Sequence, residues 1–148
     1  RQSMPQDPTG RANLMQWLMW QMGGFGPMLG QAHHFTMHTE GQDYGKQRYY
    51  KEANRLYGVL DRQLAANEFV VGKDLSIADM AIFPWTRTVW RQGIDINDYP
   101  HVLRWRRMLI NRPAFLAGVQ VGAAARAETK DMKEQDWVNQ FSGVITTS

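Results

Sequence analysis

Residues 75–80, with the sequence LSIADM, specify the start of a helix more completely than any other stretch of the chain. Ser76 suits the N-cap position, where its hydroxyl can accept a hydrogen bond from the backbone N–H of Asp79. The Asp79 carboxylate can accept from the N–H of Ser76 in return, which completes a reciprocal capping box. Leu75 and Met80 have the spacing of a hydrophobic staple. The pattern predicts a helix that begins directly after Ser76.

Apolar residues follow this start and predict that the helix is buried. The pattern extends to about residue 91, and Pro84 predicts a bend because its ring frees the carbonyl of Met80. A carboxylate on a buried helix is also a candidate for acid or base chemistry. Because capping uses the oxygens of Asp79 for backbone N–H groups, we assign Ser76 and Asp79 a structural role and no catalytic one.

The rest of the chain contains further helix patterns and no strand pair or repeat. Asp7 and Pro8 are suited to open a first long helix that runs to about Phe35. Glycines and a proline predict a kink or a break within it, at Gly23, Gly24, Gly26 and Pro27. Further helices are predicted over 44–66, from Pro100 to about residue 109, and briefly from Pro113. The predicted fold is an all-α bundle of about five or six helices with a kinked long first helix.

Composition excludes several classes of function. The 148 residues are enough for one compact domain, and their 17 basic and 14 acidic side chains form no charged tail, so we expect no nucleic-acid partner. The chain has no cysteine, so sulfur chemistry requires the thiol of a ligand. The most apolar window, 14–35, is interrupted by polar residues, glycines and a proline, so no membrane span is expected. A cytoplasmic location is the simplest expectation.

Two clusters have a functional and a structural interpretation. His34 and His38 lie four residues apart beside His33, but two ligands do not make a metal site, and we predict none. The basic run of residues 104–107 could bind phosphates with Trp105 stacking on a ligand. The spacing favours the alternative, in which Trp105 belongs to the apolar stripe of a helix and the arginines face solvent.

Several of these motifs together resemble the C-terminal helical domain of a bacterial glutathione S-transferase. They are the capping box in its apolar setting, the Asp7-Pro8 helix entry, the Arg112-Pro113 turn and the run QWLMWQMGGFGPMLGQ at 16–31. The segment GGFGPMLGQ followed by HHF resembles the nu class, which includes glutathione-dependent disulfide-bond oxidoreductases. The resemblance covers about residues 5–122. It implies a linker remnant at 1–8, a helical domain at 9–122 and a C-terminal helix or tail at 123–148.

The resemblance also implies glutathione as co-substrate and a homodimer in the complete protein, whose thioredoxin-like domain is not part of this chain. Arg48 matches an arginine that contacts glutathione in similar oxidoreductases, and a guanidinium binds a carboxylate through two hydrogen bonds. Its alternative role is a surface ion pair with Glu52. The glycine-rich bend could form one wall of a cleft for an electrophile or a second thiol compound, or could be plain core packing. The candidate wall residues are Trp20, Phe25, Met28, Gln31, Phe35 and Trp85.

Two functions remain open from the sequence. In the first, the chain is the helical, substrate-binding half of a glutathione-dependent transferase or disulfide-bond oxidoreductase, and it lines the electrophile side of the cleft. In the second, it is a stand-alone interaction or dimerisation module without catalytic activity. The resemblance implies no catalytic residue on this chain under either hypothesis, so whether the chain is part of an enzyme stays open.

Overall fold

The computed structural model describes residues 3–121 and consists almost entirely of helices. The α-helices are α1 (Pro8–Trp20), α2 (Gly26–Met37), α3 (Asp43–Ala66), α4 (Ile77–Ile82), α5 (Pro100–Ile110) and α6 (Pro113–Gln120). A π-helical segment (Gln21–Phe25) joins α1 to α2, and two 3₁₀ segments (Phe83–Gln92 and Ile96–Asp98) lie between α4 and α5. Within the described residues, the sole β-type pairing is a bridge between Phe69 and Gly72. The predicted all-α fold is confirmed.

The long first helix begins as predicted, and its irregular part is a widened helical turn and not a break. The Asp7 carboxylate caps α1 by accepting from the N–H of Gly10 at 2.7 Å. Near the glycines, the chain continues as a π-helix: the N–H of Gly26 donates to the carbonyl of Gln21, five residues earlier. The backbone stays in the right-handed helical region at both ends of this segment. The glycines therefore widen one turn and leave the chain continuous.

Helix α3 is the central element, and it matches the predicted 44–66 to within one residue. It packs against α2 and α5. Its side chains also fix the start of α5, because Asp61 Oδ1 accepts from the N–H groups of His101 and Val102 at 2.8 and 3.0 Å. Farther along α5, Arg104 donates to the carbonyl of Leu64 near the end of α3 and to that of Asn67 directly after it. These contacts join α3 and α5 through charged side chains.

The capped helix is shorter than predicted, because the expectation of an α-helix to about residue 91 is wrong. Helix α4 ends at Ile82, and the chain continues as the 3₁₀ segment Phe83–Gln92. Pro84 lies in the first turn of this segment and lacks the N–H needed to continue α4. Thr88 departs from helical geometry, and Gly93 ends the segment with a positive φ of 74°.

The described residues beyond Asn111 form a separate unit that contains α6. Pro113 occupies the first turn of α6 after Arg112, which confirms the predicted short helix. The predicted C-terminal helix or tail at 123–148 lies outside the described residues. None of the helices in residues 3–121 combines the length and apolarity needed to span a bilayer.

Candidate functional site

Within the predicted glycine-rich bend, one glycine lies very close to side chains from other parts of the chain. A Cβ on Gly26 would lie 2.9 Å from the Trp85 ring and 2.7 Å from Gln21 Nε2, whereas Gly23 and Gly24 have nothing within 4 Å. The approach to α2 at Gly26 is therefore filled by a side chain of the 3₁₀ segment Phe83–Gln92. Gln21 is buried, and its Oε1 has no hydrogen-bond partner within the described part of the chain.

Two of the candidate wall residues have mainly packing roles. The Trp85 ring lies against Gly26 and Gly30, so it fills the space between the 3₁₀ segment and α2. Phe25 has no exposed surface and meets the Tyr57 ring edge-on, with centroids 5.3 Å apart. A fully buried Phe25 belongs to the core and is not available to line an open cleft.

The other candidates remain partly exposed on the same stretch of chain. Met28, Gln31 and Phe35 are three and four residues apart and share one face of α2, and each is half-buried or exposed. Trp20 is half-buried and stacks on Phe25, with centroids 4.9 Å apart and planes at 27°. These four side chains and Trp85 keep some solvent exposure, so Phe25 is the fully buried one among the six candidates.

A stacked aromatic pair connects the wall to α3. Phe35 stacks on Tyr49 with centroids 5.1 Å apart and planes at 25°. Gly45, one turn earlier on α3, permits this contact, because a Cβ there would collide with the Phe35 ring. Arg48 is next to Tyr49 in the chain, so the pair places Phe35, near the end of α2, close to the part of α3 that contains Arg48.

Arg48 is exposed, and its alternative role as the ion-pair partner of Glu52 is wrong. Arg55 takes that place: its Nε and Nη2 donate to the two Glu52 oxygens at 2.8 and 2.7 Å. The hydrogen bonds from Arg55 lower the pKa of the Glu52 carboxyl, with smaller effects from the charges of Arg55 and Arg48, while burial opposes them. Within residues 3–121, Arg48 makes no ion pair. Its guanidinium is free to bind an external carboxylate.

A shallow cavity that the sequence did not indicate lies near this end of α2 and α3. It has a volume of about 280 Å³ and is lined by Thr36, Lys46, Gln47 and Tyr50. At about 100° per residue, Lys46 and Arg48 are about 200° apart around α3, so the cavity and Arg48 lie on different sides of the helix. Only the packing of two helices creates such a cavity, and no single-helix pattern could have located it.

Asp79 is fully buried and is surrounded by hydrogen-bond donors. Its Oδ2 accepts from the N–H and the hydroxyl of Ser76 at 2.9 and 2.8 Å, and the predicted capping box is present. Its Oδ1 accepts from the N–H of Val70 and from Nε1 of Trp105, both at 2.9 Å. The last two bonds were not predicted, because they join segments far apart in the chain. Asp79 holds the fold together and has no access to a substrate.

The histidines lie close to one another at the end of α2. The His33 and His38 rings have centroids 5.7 Å apart, and those of His34 and His38 are 6.1 Å apart. Within the described residues, no group of three or more His, Cys, Asp or Glu side chains is arranged to hold a metal ion. Burial lowers the pKa of His33, and the charges of Arg91, His38 and His34 lower it further.

Comparison with known protein families agrees with this architecture. The glutathione S-transferase C-terminal domain family matches residues 25–113, which include α2 to α5 and the Arg48 region. The chain belongs to this family. A curated relative, the disulfide-bond oxidoreductase YfcG of Escherichia coli (strain K12), is 46% identical over 106 residues, which cover 70% of this chain and 49% of YfcG. The chain thus spans about half the length of this relative.

Solved glutathione transferases have the same fold. One from Pseudomonas putida, with one glutathione disulfide bound per subunit, has a TM-score of 0.76 and 38% identity, over 81% of this chain and 55% of that one. One from Burkholderia graminis, with two glutathione molecules bound per subunit, has a TM-score of 0.72 and 38% identity, over 80% of this chain and 53% of that one. The described helices therefore have the fold of the helical part of these transferases.

Proposed function

We propose that this glutathione S-transferase C-terminal domain is the helical, substrate-binding half of a glutathione-dependent transferase or disulfide-bond oxidoreductase. Its partly exposed face, which runs from Trp20 along α2 to the start of α3, would line the electrophile side of the cleft. Family membership and the relatives that bind glutathione or its disulfide support this function. The helical half would select the second substrate.

The observation that carries the proposal is the exposed Arg48 beside the Phe35–Tyr49 stack. Glutathione has two carboxylates, and a guanidinium binds a carboxylate through two parallel hydrogen bonds that a lysine cannot reproduce. Because Arg55 already pairs with Glu52, Arg48 does not have to break an ion pair to bind a ligand. Phe35 and Gln31 then offer an apolar and a polar contact to the rest of the ligand.

In this function, a thioredoxin-like half would hold the glutathione thiol near its N-terminal end. Binding would lower the pKa of the thiol. The thiolate would displace a leaving group from a carbon electrophile, or would attack one sulfur of a disulfide and release the other sulfur as a thiolate. This chain has no cysteine, so it would contribute by positioning the two substrates. Trp20, Met28, Gln31 and Phe35 are the proposed wall residues. A cytoplasmic location, where glutathione is kept reduced, fits this chemistry and is also a proposal.

Calorimetric titration with glutathione tests the role of Arg48. We expect Arg48→Gln to weaken binding at least tenfold, about 1.4 kcal/mol, because it removes the charge and the two-pronged geometry. Arg48→Lys should recover only part of the loss. Lys51→Gln, an equal change of charge at an exposed position on the same helix, is the matched control and should bind like wild type. Equal affinity of Arg48→Gln and wild type would refute the assignment.

The alternative is an interaction or dimerisation module without catalytic activity, and one surface feature favours a protein contact. Met15, Met19 and Met22 are 41%, 51% and 59% exposed and follow one face of α1 and the π-helical segment. Exposed apolar stripes of this kind mark interfaces. The same stripe would serve the homodimer proposed for the complete protein. A reading frame that continues upstream of Arg1 into a thioredoxin-like pattern would favour the enzyme over the isolated module.

A further inference from the structure

A second cavity lies apart from the α2–α3 face, between the 3₁₀ segment Phe83–Gln92 and α5. Its volume is about 220 Å³. Three apolar and three cationic side chains line it: Phe83, Leu103, Ile110, Arg87, Arg106 and Arg107. We call it the arginine cleft. The lining includes no acidic residue, so the cavity combines an apolar surface with positive charge.

The positive charge in the arginine cleft is not compensated by carboxylates in the described residues. In residues 3–121, Arg55 forms an ion pair with Glu52. No ion pair in this part of the chain involves Arg87, Arg106 or Arg107. Burial lowers the pKa of Arg106, and the nearby charge of Arg87 lowers it further, while Tyr57 opposes these effects. Like charges held together in a partly buried cavity favour the binding of an anion.

The neighbouring residues of the basic run have other roles, which narrows the choice of ligand. The guanidinium of Arg104 is occupied by the carbonyls of Leu64 and Asn67 at 2.8 and 2.9 Å. Trp105 is fully buried and donates to Asp79, so it cannot stack on a base. The alternative interpretation of the basic run, phosphate binding with Trp105 stacking on a ligand, is therefore wrong. A nucleic acid would find no exposed Trp105 ring to stack on.

We propose that the arginine cleft binds a small organic anion that has one carboxylate or phosphate head group and a short apolar body. Arg87, Arg106 and Arg107 would hold the head group, since guanidinium groups pair with both oxyanions. The body would contact Phe83, Leu103 and Ile110. The volume is below the usual 300–1,000 Å³ or so of drug-sized pockets, which restricts the ligand to a short chain or a single ring.

Titration of the 148-residue chain followed by NMR tests this site. Hexanoate and hexyl phosphate are the two anionic probes, and comparison of their affinities distinguishes a carboxylate from a phosphate ligand. Hexanol, which lacks the charge, and acetate, which lacks the apolar body, should each bind at least tenfold more weakly than the better anion. The amide signals of Phe83, of residues 85–87 and of residues 103–110 should shift in a saturable manner. No saturable shift with either anion would overturn the proposal.

Charge variants test whether the arginines act locally. Arg87→Gln and Arg107→Gln change exposed residues, so both variants are expected to fold, and each should weaken binding of the better probe at least fivefold. Arg62→Gln makes the same change of net charge on the exposed side of α3 and should keep wild-type affinity. Equal weakening in all three variants would show that binding depends only on net charge, and it would refute the proposed site. Thermal unfolding checks that each variant is folded.

Discussion

At the scale of single residues, Asp79 shows how one carboxylate connects three parts of the chain. It accepts hydrogen bonds from Ser76 in the cap, from Val70 in the connector and from Trp105 on α5. The capping half of this arrangement follows from the sequence, because its partners are three residues apart. The bonds to Val70 and Trp105 depend on how α4 packs, which no local pattern contains.

We predict that Asp79→Ala destabilises the fold by at least about 3 kcal/mol, because several buried donors lose their acceptor at once. Trp105→Phe removes the Nε1 donor and leaves a cavity where the five-membered ring of the buried indole lay, so its cost should be about 2 kcal/mol and smaller than that of Asp79→Ala. Urea denaturation of both variants measures the two free energies of unfolding. A free energy of unfolding for Asp79→Ala equal to that of wild type would contradict this role.

The protonation of His33 makes the stability of the fold depend on pH. Burial lowers its pKa below the usual value near 6.5, and Arg91, His38 and His34 add to the effect. The folded state therefore binds the His33 proton less readily than the unfolded state does. Well above pH 6.5 the imidazole is neutral in both states, so His33 does not change the free energy of unfolding there. It destabilises the fold increasingly as the pH falls through 6.5 toward its folded pKa.

We therefore predict that Arg91→Gln raises the pKa of His33 toward 6.5, because it removes a nearby positive charge. NMR titration of the imidazole signals measures the shift directly. Arg62→Gln removes an arginine that is not among the charges acting on His33, and it should leave the His33 titration as in wild type. An unchanged or lower pKa in Arg91→Gln would show that Arg91 has no such effect.

At the scale of elements, the start of α1 and the boundaries of α3 and α5 are predictable because caps, prolines and apolar spacing mark them. The region after Ile82 is not, because the apolar pattern continues while Pro84 and packing convert the backbone to a 3₁₀ helix. The structure of the glycine segment could be predicted only in part. Its glycines and proline indicate an irregular backbone, but the same residues fit either a π-helix or a break.

The close contact at Gly26 leads to a prediction for this segment. Gly26→Ala should destabilise the fold by about 1–3 kcal/mol, since the new methyl group meets the rigid Trp85 ring. Gly24→Ala is the matched control: it has open space around it and should be neutral or stabilising by up to about 1 kcal/mol. Denaturant unfolding compares the two. Equal effects would show that the Trp85 contact does not restrict position 26.

At the scale of the whole molecule, the fold class and family could be inferred from short motifs, and the site only in part. Arg48 was located by resemblance, but its freedom from Glu52 required the position of Arg55. Phe25 and Trp85 illustrate the limit, since apolar residues at helical spacing look alike whether they face the core or a cleft. The arginine cleft depends on the packing of α5 against the 3₁₀ segment, so the basic run alone could not define it.

A crystal structure of the protein expressed from its full reading frame, with glutathione bound, tests the central claim most directly. We predict that the Arg48 guanidinium lies within hydrogen-bond distance of a glutathione carboxylate and that Phe35 or Gln31 contacts the same ligand or its conjugate. Bound glutathione with both carboxylates out of reach of Arg48 would contradict the account.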